Sequence, residues 1–147
     1  MAGNYQPIFS AVGRTTFSQL AAANNTAALN TNAALVFSPG TNGSILTEVR
    51  IKLLPGTTFS AATAFRLWIA TNTAALATTT NNLLISETAI PIIPTTNTSA
   101  TPDYYMPMPR NGLCIPPTIG GNACAVYATI GSYSAGTIMI TGIGGDF

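Results

Sequence analysis

Histidine is absent from this chain and charge is scarce. Five cationic and four anionic side chains make up 6% of 147 residues, against about 25% in an ordinary soluble domain. Each shortage removes a class of function. Without histidine the commonest general base and metal ligand is missing, and a serine nucleophile would have to rely on the single lysine, Lys52. Two cysteines, Cys114 and Cys124, cannot build a four-ligand zinc site. The carboxylates Glu48, Glu87, Asp103 and Asp146 are scattered, so a hydrolytic pair would have to assemble in space. Gly142, Gly144 and Gly145 lack the lysine and following helix of a phosphate loop. Arg14, Arg50, Lys52, Arg66 and Arg110 are spaced singly, with no basic patch for nucleic acid. The expectation is a non-enzymatic protein without metal or cofactor.

Long apolar runs are also lacking. Mean hydropathy is +0.37, and residues 111–145 carry no charge, but Pro116-Pro117, Gly120-Gly121, Gly131 and Gly136 interrupt them. A spanning helix needs about 20 uninterrupted apolar residues, so no membrane segment is expected. Residues 1–30 show no basic stretch followed by an apolar core, which reads as synthesis in a cytosol without a secretory signal.

What is present is threonine, asparagine and serine, and a strand-like alternation. The clearest case is residues 44–55, SILTEVRIKLLP. Alternation sets Ile45, Thr47, Val49, Ile51 and Leu53 on one side and Leu46, Glu48, Arg50 and Lys52 on the other. A strand with one wet face belongs to an antiparallel sheet. Asn42-Gly43 and Pro55-Gly56 bound it as turns. Residues 63–71, TAFRLWIAT, put Phe65, Leu67 and Ile69 on one face and Arg66 with Trp68 on a wetter one. In the opposite phase, Trp68 would face a second sheet.

The remaining pattern adds strands at residues 14–20, anchored by Phe17, at 35–38, at 83–90 with Leu83, Ile85 and Glu87 sharing a side, at 104–108 and at 113–115. Residues 123–133 and 137–143 read as a hairpin about Ser134-Ala135-Gly136, with Val126, Ile130, Ile138 and Ile140 in the core. Pro91, Pro94 and Pro102 make the segment after Ile90 an edge or an extended connection. The Ala/Asn/Thr-rich residues 21–34 and 71–82 read as loops. About eight strands and no helix predict an all-β fold, an antiparallel β-sandwich of jelly-roll type, with a closed barrel as the less favoured alternative. A single domain over residues 14–147 follows an N-terminal arm over 1–13.

Cys114 and Cys124 lie ten residues apart and could be bridged if their backbones approach, but a reducing cytosol favours two small buried thiols. So weakly charged a surface gives a lone monomer little protection, which points to an assembly component. Candidate contact residues are Arg66 with Trp68 and Tyr104 with Tyr105, because aromatics and arginine dominate interface energetics. Tyr5, Ile8 and Phe9 in the arm and Phe147 beside Gly144-Gly145 are candidates for gripping a partner.

The segments NYQPIF, FSPGTNGSILTEVRIKL and ITGIGGDF, with the Ala/Asn/Thr loop between the first two, resemble small structural proteins of tailed bacteriophages, including head decoration or cement proteins of cyanophages. The resemblance implies a β-sandwich on the outside of the virion head, as homotrimers clamping neighbouring major capsid proteins, with no active site. A tail or fibre component shares the composition. A carbohydrate-binding module would need a cleft with carboxylates or stacked aromatics.

Overall fold

The computed structural model describes residues 12–20, 29, 32–59, 61–93, 103–131 and 136–147. Among them are eleven strands and one 3-10 turn, Thr79–Asn81. The strands are β1 Val12–Leu20, β2 Ala34–Phe37, β3 Ser44–Leu53, β4 Thr63–Ala70, β5 Asn82–Ile90, β6 Asp103–Tyr105, β7 Leu113–Ile115, β8 Thr118–Ile119, β9 Asn122–Ala123, β10 Ala125–Ile130 and β11 Ile138–Asp146.

They form two antiparallel sheets and a small β8–β9 ribbon. The first sheet runs β1-β11-β3-β6, with β7 pairing β3 beyond β6; the second runs β2-β10-β4-β5. Taking β6 and β7 as one interrupted strand along β3 gives eight principal strands. Successive strands alternate between the sheets except at β4–β5, and this wiring is that of a jelly roll.

The core lies between the sheets. Val49, Ile51, Leu53, Phe65, Leu67, Ile69, Val126, Ile130, Ile138 and Ile140 point into it, so the alternation of all four strands is realised at these positions. The phase of β3 nevertheless changes part-way. Ile143 pairs with Glu48 and Gly144 with Leu46, leaving Thr47 as the extra residue of a β-bulge. Leu46, expected beside the charged residues, is therefore buried, while Thr47 is exposed. A side chain on Gly144 would collide with the carbonyl oxygen of Ile45, so the bulge requires glycine there.

Three other expectations are corrected. β10 and β11 do not form a hairpin: they belong to opposite sheets, and the connection between them crosses the sandwich. Thr57 fixes its far end, the hydroxyl donating to the Thr137 carbonyl at 2.9 Å and accepting from the Thr137 amide at 3.2 Å. Phe17 is not a core anchor but is 69% exposed. In β5 Leu83 lies opposite the core residue Ile69 and Ile85 packs on the core, so these two share a side, while the bulge at Ile85 turns Glu87 to the outer side toward Arg66.

The residues around Phe147 are fastened as well. Gly144, Gly145 and Asp146 are paired between β1 and β3, and the Phe147 amide donates to the Gly43 carbonyl at 3.1 Å. The expected loose end beside Gly144-Gly145 is the tip of an interior strand, and its glycines serve close packing.

Candidate functional site

Among the described residues, the outer face of the first sheet forms a continuous surface across four strands. Register places Phe17, Thr141, Arg50 and Tyr105 in one row across β1, β11, β3 and β6. A second row holds Gln19, Met139, Lys52 and Asp103; a third holds Thr15, Ile143 and Glu48. Phe17 and Tyr105, the latter 52% exposed, flank this face, and Ile143 is exposed between them.

Its charges cancel. Asp103 receives Arg50 on one carboxylate oxygen and Lys52 on the other, the second at 3.0 Å. Hydrogen bonds from Lys52 and then Arg50 hold the Asp103 carboxyl below its ordinary range. The hydrogen bond to Asp103 and its charge first, and Glu48 last, raise the Arg50 pKa, and Glu48 takes part in no ion pair among the described residues. The face thus carries two cations, two anions, hydrogen-bonding threonine and glutamine, and two aromatic rings.

The other named residues lie elsewhere. Tyr104 pairs with Ile51 and packs against the core, so Tyr105 alone of the two tyrosines reaches the outer face. Arg66 lies on the second sheet and meets Glu87 at 3.4 Å. Trp68 shares the Arg66 side of β4, as the alternation requires, yet that side is covered at this position: Trp68 is 7% exposed, packed with Leu29, Ala70, Ala33, Leu76 and Tyr127. Its indole N–H donates to the Thr129 hydroxyl at 3.0 Å. Tyr5, Ile8 and Phe9 fall outside the described residues, with the whole of residues 1–11.

Phe17 was not among the sequence candidates. Both faces of β1 are mixed in polarity, Thr15, Phe17 and Gln19 against Thr16, Ser18 and Leu20, so the pattern alone favours its one aromatic as the inward residue. The usable signal was Leu20, which shares a face with Thr16 and Ser18 and is buried.

Cys114 and Cys124 form no disulfide. Cys124 is buried, its thiol directed at the Pro116 carbonyl at 2.8 Å and its pKa pushed up by burial; Cys114 is exposed, which corrects the expectation of two buried thiols. No cluster of three or more potential metal-ligating side chains occurs among the described residues. No helix of the described residues is long and apolar enough to cross a membrane.

At the β1 end of the sheet, Asp146 accepts from the Ser44 hydroxyl and from Arg14 at 3.0 Å, and Arg14 also donates to the Ser38 carbonyl at 2.8 Å. The Ser44 hydrogen bond first, and then Arg14, hold the Asp146 carboxyl below its ordinary value of 3.8. A carboxylate whose folded pKa is depressed stabilises the protein above the unfolded pKa, and this stability is lost as pH falls through the folded value. Thermal stability should therefore fall as pH drops below about 4. Asp146→Asn should melt lower than the parent at neutral pH and show a shallower acid limb in melts at several pH values.

The chain matches no protein-family model, no curated protein and no solved structure at a significant level.

Proposed function

We propose that this chain is a structural protein of a bacteriophage virion, a decoration protein that binds the outer surface of the head and stabilises the lattice of major capsid protein. The observation that carries this reading is the neutral outer face of the first sheet, where exposed Phe17 and Tyr105 stand among paired charges and uncharged hydrogen-bonding side chains. Such a face suits contact with another protein: aromatics and arginine supply binding energy, while neutrality gives no attraction to a polyanion. The resemblance of the segments around Phe9, Val49 and Asp146 to head proteins supports the same reading.

The mechanism is binding without turnover. A ligand that recognises only the assembled shell stabilises it by mass action, and weak contacts suffice when they repeat across a lattice. The arm carrying Tyr5, Ile8 and Phe9 is assigned to the grip, whereas Phe147, tied to Gly43, is not.

Add-back to heads lacking the protein tests this. The full chain should coat them to saturation and raise the temperature at which they release DNA. A chain without residues 1–10 should keep its sandwich by circular dichroism and leave most sites empty. Full coating by the truncated chain would remove the arm from the grip, and equal robustness of bare and coated heads would overturn the stabilising role.

A further inference from the structure

We infer that the outer face of the first sheet binds a second copy of this chain, face to face, about a two-fold axis perpendicular to the strands and running along the row Phe17, Thr141, Arg50, Tyr105. Two-fold pairing demands a self-complementary surface, because every contact is made twice with the roles exchanged. This face meets that demand in register. A rotation about the central row lays it on itself, Phe17 against Phe17 and Tyr105 against Tyr105, and exchanges the rows on either side.

The exchange sets Glu48 opposite Lys52 of the second copy and Lys52 opposite its Glu48. It also sets Ile143 against Met139 and Thr15 against Gln19, each twice. Opposite charge thus meets opposite charge, apolar meets apolar and amide meets hydroxyl. Glu48, the one side-chain carboxylate without an ion pair among the described residues, gains a cation. Of the charged residues Arg50 alone meets its like, and there each guanidinium is already held by Asp103.

Strands about 4.8 Å apart and a rise of about 3.4 Å per residue give the face on the order of 400 Å² per copy, or about 800 Å² in all. That is below the ~1,200–2,000 Å² of tight complexes, so the dimer forms and dissociates with concentration. The order is two, in place of the three copies that the likeness to head proteins implies, because such a face closes on itself at two. Paired in this way, two copies bury that face on one another and leave the grip on the head to residues 1–10; a monomer that coats heads would overturn this pairing and leave the decoration reading standing.

Sedimentation equilibrium on the full chain, from micromolar to near-millimolar concentration, should show monomer passing to dimer. Phe17→Ser and Tyr105→Ser, both at exposed positions, should each weaken the association at least tenfold with an unchanged melting temperature. Glu48→Lys alone and Lys52→Glu alone each set like charges opposite one another twice, so each should stay monomeric. An equimolar mixture of the two sets opposite charges at both positions and should restore the dimer. If Lys52→Glu does not fold beside Asp103, the aromatic variants decide. A monomer at every concentration, a trimer, or a dimer indifferent to Phe17 and Tyr105 would each overturn the inference.

Discussion

Val49→Asp should leave the chain unfolded. Val49 is fully buried between the sheets, and no cation is among the residues of that core. An unpaired carboxylate there costs several kcal/mol even after relaxation, or must be protonated with its pKa raised, against a total stability of about 5–15 kcal/mol for a typical domain. The informative control is Thr47→Asp. On a plain strand residues 47 and 49 share a face; the bulge moves Thr47 into solvent, so this substitution should change stability by no more than about 0.5 kcal/mol. Far-ultraviolet circular dichroism and urea titration of the pair read the result. A cooperative, parent-like transition for Val49→Asp would show the faces of β3 to be reversed.

Trp68→Ala should be the most damaging truncation on the outer side of the second sheet. The indole holds together Leu29, Leu76 and Tyr127, and removing it leaves both a cavity and a buried Thr129 hydroxyl without its donor. Truncations of this size cost about 3–5 kcal/mol, and in a domain of about 150 residues that lowers Tm by on the order of 10 °C. Trp68→Phe keeps most of the packing and loses the hydrogen bond, so it should cost about 1 kcal/mol. The damage should be local first. Hydrogen exchange should rise in residues 71–81, which Asn82 ties down through the carbonyls of Leu76 at 2.6 Å and Thr78 at 3.2 Å, before it rises in β3 or β11. Equal acceleration throughout would show that the small cluster has no independence from the main core.

The strands were legible wherever one side of the alternation is purely apolar. Val49, Ile51 and Leu53 in β3 and Phe65, Leu67 and Ile69 in β4 are such cases, and they were enough to establish two apolar faces and a sandwich. Pairing was less legible, since alternation says which side of a strand is buried but not which sheet it joins. Ile130 and Ile138 are close in sequence and both inward, which fits a hairpin as well as it fits two strands facing one another across a core. Bulges are silent for another reason: the shift at Thr47 depends on Gly144, almost a hundred residues away. The burial of Trp68 is not legible in its own strand because its cover comes from Leu29 and Leu76, single large apolar residues within stretches whose composition reads as loop. For the site, Tyr105 was legible as an aromatic on a short strand, whereas Phe17 was hidden by the even polarity of β1.

The interior position of β11 bears on how the chain reaches this state. β11 hydrogen-bonds to β1 on one side and β3 on the other, and the Arg14–Asp146 contact spans 132 positions of sequence. Nearly the whole chain must be looped back before the first sheet has its centre, and the entropy of that closure is spent before most of the pairing returns it. Until then β1 and β3 each present an unpaired edge, and a molecule with a net charge of +1 has little repulsion to keep such edges apart. Recovery of native protein should therefore be set by a race between docking of residues 138–146 and association of incomplete sheets, and refolding yield on dilution from urea should fall with protein concentration even when the finished fold is stable.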